Sequence, residues 1–223
     1  YYAAILCVLA KLIARGKVEL REDSNLLENP KVIEAALRNS ARQGNTIVDL
    51  CETVTDEQLR RAKQFYRDFF DTPTSANEVK TIGQDIQKAF LELQNTLNEL
   101  LAQKNQYPFV EQLRPYSDEI RGMVEKPYVW FVTGMSERWA DWLNAKTETI
   151  DPIRRLMGGT QKAIYDRARD FVISNQANLP DLDGDLLVAV KNTLEDLTCY
   201  QGGKIQPLKA NTEKLQDQLK EQL

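Results

Sequence analysis

Residues 77–106 read NEVKTIGQDIQKAFLELQNTLNELLAQKNQ, and within them Val79, Ile82, Ile86, Phe90, Leu93, Leu97 and Leu100 recur at steps of three or four. That spacing lays one apolar stripe along a long amphipathic helix. Ile82 to Ile86 to Phe90 are two successive steps of four, which departs from a heptad and predicts ordinary bundle packing in place of a regular coiled coil. Pro108 forbids continuation of the helix.

Stripes of the same kind follow it. Phe109, Leu113, Tyr116, Ile120 and Met123 predict a second helix whose first turns Pro115 distorts. After Lys126-Pro127, the positions Tyr128, Val132, Met135, Trp139 and Trp142 predict a third, the most aromatic, which should anchor the core. Asp151-Pro152 reads as an N-cap and first-turn proline opening a fourth, with Ile153, Met157, Ile164, Ala168 and Phe171 inward. Beyond Pro180 an acidic turn leads to a helix around Leu187, Val190, Leu194 and Leu197. Gly202-Gly203 and a polar terminal helix carrying Leu215, Leu219 and Leu223 close the sequence. Short connections favour antiparallel neighbours, so 76–223 is expected to be an antiparallel multi-helix bundle.

Upstream, 1–72 reads as a small α/β head. Tyr2 to Ala14 is apolar but lacks the basic region and cleavage site of a signal sequence, so a buried helix is expected, closed by Arg15-Gly16. Val18 and Leu20 alternate with charged residues as in a short strand, and Thr46 to Cys51 is its natural partner, parallel or antiparallel. Asn29-Pro30 opens a helix with Ile33, Ala36 and Leu37 inward, ending before Gly44. Thr55-Asp-Glu-Gln58 is a capping box, with Val54 set to staple onto Leu59. The helix it opens, Asp56 to Phe70, is expected to pair Asp56 with Arg60 and Glu57 with Arg61. Asp71-Thr-Pro-Thr-Ser75 is the expected boundary between head and bundle.

Composition narrows the chemistry. The 223 residues are 42% hydrophobic with a net charge of −4, a soluble globular balance that disfavours a surface built wholly for nucleic acid while leaving room for a local basic face. Cys7, Cys51 and Cys199 form neither a disulfide framework nor a metal knuckle and suit a cytoplasmic protein. No segment has the apolar length of a membrane span. The apolar start and amphipathic end read as those of a fragment of something longer. Histidine is absent from the sequence, which removes the Ser-His and Cys-His nucleophile pairs and every His-containing zinc site. Gly202-Gly203-Lys204 and Gly158-Gly159-Thr160-Gln161-Lys162 both fail the phosphate-loop spacing, the second reading as a kink or close backbone approach. Asp181, Asp183 and Asp185 have the wrong spacing for a calcium loop and read as a turn with a helix N-cap.

One constellation could bind. Arg155, Lys162 and Arg169 are seven apart, on one side of the fourth bundle helix, and Arg154 and Arg167 broaden it. Such a stripe could follow a phosphate backbone or dock an acidic partner. Asp166, four after Lys162, and Asp170, near Arg167, offer the alternative of a self-neutralised solvated face.

Arg15-Gly-Lys-Val-Glu-Leu-Arg21 with Ser24-Asn-Leu-Leu27, Asp68-Phe-Phe-Asp-Thr-Pro73, Lys126-Pro-Tyr-Val-Trp130, and Ile150-Asp-Pro-Ile-Arg-Arg155 leading to Gln161-Lys-Ala-Ile-Tyr-Asp166 together resemble the C-terminal part of the BrxC family. These are the large P-loop proteins of the BREX phage-defence system, related to PglY. The resemblance implies a cytoplasmic bacterial protein working with the other BREX proteins, a methyltransferase and a phosphatase-like protein among them. It implies ATP and magnesium for the full-length protein only, with the nucleotide motifs upstream, so that no catalytic, cofactor or metal residue is expected here. The reading is therefore mainly α: a head with two short strands followed by the bundle, a non-catalytic scaffold or interaction module, with self-association through the terminal helix as a further expectation. The alternative is a nucleic-acid-binding module, with a winged-helix-like head and the Arg155 stripe on DNA.

Overall fold

The computed structural model describes residues 2–14, 17–23, 25–50 and 54–222. Arg15-Gly16, Ser24, Cys51 and Leu223 lie outside them. The chain divides into two compact units, Tyr1–Asp56 and Glu57–Leu223.

In the first unit α1 (Tyr2–Ala14) precedes β1 (Val18–Glu22) and β2 (Asn25–Leu26); α2 (Pro30–Arg38) and α3 (Ser40–Gln43) then lead to β3 (Thr46–Leu50). Asn29 caps α2 by accepting from Lys31 N–H, and Asn39 caps α3 by accepting from Ala41 N–H, which is why the chain turns at each asparagine. The two strands read from the sequence are antiparallel, with Leu20 opposite Val48, and β2 adds a third in the order β2-β1-β3. Asp23, at φ 49°, makes the tight turn between β1 and β2. Arg42 forms a two-pronged ion pair with Glu22, tying α3 to the sheet. Only Val18, Leu20 and Ala36 form an apolar core among this unit's described residues. The expectation of a buried first helix fails. Ile5 and Val8 are 61% and 58% exposed.

The second unit is helical. α4 (Asp56–Phe70) has the expected bounds, but it belongs to this unit and not to the head, since Phe65 and Phe69 stack on Phe90 of α5 (Val79–Leu101). Neither expected Asp56–Arg60 nor Glu57–Arg61 pair closes. Arg61 lies over the Trp139 ring instead, at 5.6 Å. The α5 stripe faces inward as its spacing requires, with Ile82, Ile86, Phe90 and Leu97 fully buried. A 3-10 turn (Pro108–Leu113) leads into α6 (Arg114–Met123), which is fastened to α5 where Gln94 Nε2 donates to Ser117 O at 3.1 Å and Ser117 Oγ bonds Asn98 Oδ1 at 2.7 Å.

The aromatic stripe expected as a third helix is only partly one. Tyr128–Phe131 and Gly134–Arg138 are 3-10 turns, and α7 spans Trp139–Ala145. The Tyr128 carbonyl presses so close to α5 that a Cβ on Gly83 would fall 2.2 Å from its oxygen, and one on Gly134 would strike the Trp130 ring at 2.4 Å. Tight backbone approach there replaces a regular helix. The residues still form the core: the Phe90 ring is 5.0 Å from Trp142, 5.2 Å from Phe70 and 5.4 Å from Phe69.

Asp151 does not cap a new helix. A π-helical turn (Lys146–Ile150) joins α7 directly to α8 (Asp151–Gly158), and α9 (Thr160–Ser174) follows a break at Gly159. Asp183 caps α10 (Gly184–Glu195), accepting from Asp185 and Leu186 N–H at 3.0 Å, as the turn reading requires. α11 (Ile205–Gln222) packs on α9 and α10 with Leu208 and Leu215 buried, so that part of the terminal stripe is covered within the unit. Among the described residues no helix is long and apolar enough to cross a membrane.

Candidate functional site

The five basic residues at 154–169 do not form one stripe. Gly159 adopts extended backbone at φ −113° and ψ −173° between α8 and α9, and a Cβ there would meet Arg155 O at 2.8 Å. Seven-residue spacing aligns side chains only along an unbroken helix, so Arg155 is placed on a different helix from Lys162 and Arg169. The kink read at the glycine pair is what separates them.

Lys162 and Arg169 belong to a network in which the self-neutralising Lys162–Asp166 pair offered by the spacing is present, joined by Tyr107, which the spacing did not mark. Asp166 is its centre: Lys162 Nζ is 3.0 Å from Oδ2, Arg169 is 3.1 Å from Oδ1, and the Tyr107 hydroxyl donates to Oδ1 at 2.7 Å. Both cations also lie over the Tyr107 ring, at 4.9 and 5.4 Å. Burial opposes ionisation of Asp166, but the Tyr107 hydroxyl and the two cations outweigh it and hold the carboxyl below its ordinary value. Tyr107 precedes Pro108 in a stretch without helical period, so no spacing marked it as the clamp between α9 and the turn after α5. Asp170 is engaged by Arg169 at 3.0 Å, not by Arg167.

The other three cations remain at the surface. Arg154 approaches Asp151 at 3.5 Å, and Arg155 Nε donates to the Asp151 carbonyl at 3.3 Å. Arg167 is exposed and has no ion pair among the described residues. Arg155 also lines an open cleft of about 740 Å³ at the α8–α9 break, with Thr147, Pro152, Thr160, Tyr200 and Gln201. A smaller cleft of about 300 Å³ has Tyr66, Phe70, Glu92 and Arg154 on its wall. On the same wall Lys146, nearly buried, is held by Asp71 at 2.6 Å and by the Asp68 carbonyl at 2.9 Å.

The two glycine-lysine stretches have their lysines engaged internally. Lys204 bonds Asp196 at 2.6 Å and Thr198 at 2.8 Å, closing the turn before α11, and Lys162 is committed to Asp166. Among the described residues no group of three acidic or cysteine side chains could hold a metal ion.

Residues 58–179 match the family model described as the BREX ATP-binding protein BrxC alpha helical domain, more than half of the chain. The chain belongs to the BrxC family. Curated proteins and solved structures give no match. The BrxC match runs from within α4 past the end of α9, so it contains both clefts' helical walls and all five cations, while the head and α10–α11 lie outside it. ATP binding is in the family's name, yet Lys162, within the matched segment, and Lys204, beyond it, are the lysines beside glycine that could meet a phosphate, and both are bound to carboxylates. These stretches do not fit a nucleotide phosphate site.

Proposed function

We propose that this chain is an interaction module of a BREX defence ATPase, a rigid helical body that passes the ATPase's conformational state to another BREX protein by surface contact. The observation that carries the proposal is the coincidence of the BrxC match with the part built around Phe65, Phe69, Phe90 and Trp142. A closely packed core moves as one piece and resists local deformation, which suits transmission of a displacement. ATP and magnesium act elsewhere in the full-length protein, in the bacterial cytoplasm. Arg154, Arg155 and Arg167 are the contacts offered to an acidic partner.

The test is co-purification of the intact chain with the other BREX components, with and without nuclease. A named component retained after nuclease supports the module. Retention that disappears with nucleic acid, together with a salt-dependent DNA shift abolished by Arg154→Glu, Arg155→Glu and Arg167→Glu, replaces it with the nucleic-acid reading. Lys162 and Arg169 are left intact in that test, because reversing either would break the Asp166 network and confuse binding with folding.

A further inference from the structure

We propose that β3 is a dimerisation strand, pairing antiparallel with β3 of a second copy of this chain about a two-fold axis at Val48. This goes beyond the partner contact proposed above and rests on different residues. The order β2-β1-β3 leaves β3 at the sheet edge, and no described residue pairs with its outer side.

The ladder fixes which groups face outward. Leu27 N–H donates to Leu20 O at 2.8 Å, on the β2 side of β1, while Asp23 N–H donates to Asn45 O at 3.2 Å, on the β3 side. Main-chain groups of successive strand residues point to alternate sides. Glu19 and Arg21 therefore bond across to their register partners Asp49 and Ile47, and Thr46, Val48 and Leu50 present their N–H and C=O groups at the free edge.

That edge is complementary to itself. With Val48 opposite Val48, Thr46 falls opposite Leu50 of the second copy on both sides of the axis, and every outward N–H and C=O group meets its counterpart. Asp49 falls opposite Ile47, so no like charges face each other. Val48 and Leu50 share a face with Leu20 and Val18, whose side chains are buried, yet they are 47% and 86% exposed. A second β3 sets its own Thr46, Val48 and Leu50 beside them on the same face. Monomeric proteins protect such edges with charged side chains, proline or a bulge; Thr46–Leu50 has no proline, and its one charge, Asp49, is engaged by Arg21 of β1 at 3.1 Å. The contact is isologous, as a two-fold dimer requires.

Sedimentation velocity of the intact chain over a range of concentrations tests this. A monomer–dimer equilibrium is expected, and Val48→Pro should weaken it at least tenfold. That proline removes an N–H pointing away from β1 and leaves the internal ladder intact. As a second measurement, Val48→Cys in a chain with Cys7 and Cys51 replaced by serine should form an intermolecular disulfide, since opposed hydrogen-bonded residues are about 5.5 Å apart at Cα. Asp49→Cys in the same background should not. A chain that stays monomeric throughout overturns the proposal. So does a dimer that survives Val48→Pro, or one in which both cysteines cross-link equally.

Discussion

Tyr107 shows how one side chain can organise charges that would otherwise repel. Its hydroxyl orients Asp166, and its ring faces Lys162 and Arg169, so two cations share one carboxylate without clashing. Tyr107→Phe keeps the ring and loses the donor. It should cost about 1–2 kcal/mol, read as a lower urea midpoint at unchanged slope; an unchanged midpoint would mean the hydroxyl is dispensable. Asp196 allows a prediction with a definite sign. The Lys204 ammonium, followed by the Thr198 N–H and hydroxyl, lowers its pKa to about 2. A depressed carboxylate contributes stability that is complete above the unfolded value, about 3.9, and is lost as pH falls through the folded one. Between about pH 4 and pH 2 the wild type should therefore lose stability more steeply than Asp196→Asn. Parallel curves for the two in acid urea titrations would sink the assignment.

At the level of elements, the sequence was most legible where a single period ran unbroken. The α5 stripe and the α4 bounds follow from apolar spacing and from the residues before Asp56, since those signals are local. What spacing could not show was backbone meeting backbone. The Tyr128 stripe has helical period, yet its first half is 3-10 because the Tyr128 carbonyl sits on Gly83, an event of tertiary packing that leaves no mark in periodicity. The basic stripe failed for a similar reason: Gly159 was read as a kink, but its consequence for residues seven apart was not. Gly83→Ala should thus destabilise by about 1–3 kcal/mol through overpacking, despite alanine's better helix propensity. Gly122→Ala, on α6 with open space at the Cβ position, should instead stabilise by about 0.5–1 kcal/mol. Thermal melts of the two variants should move in opposite directions; if both rise, the close approach at Gly83 has no energetic weight.

At the level of the whole molecule the two units differ in what holds them. The head relies on Val18, Leu20 and Ala36 with the Arg42–Glu22 and Arg21–Asp49 pairs, whereas the helical unit is built on a continuous aromatic core. The exposed Arg21–Asp49 pair stabilises little, and a domain of under about 60 residues is marginal even with an ordinary core. The head should therefore unfold first. Trp130, Trp139 and Trp142 are the three tryptophans of the sequence, and all lie in the helical unit. Their emission reports the helical unit, while backbone dichroism sees both units. In urea, the far-ultraviolet signal should begin to fall while tryptophan emission is still native, and amides of β1 and β3 should exchange faster than those of α5. Coincident transitions by both probes would show one cooperative unit, and the head would then owe its stability to the rest of the chain.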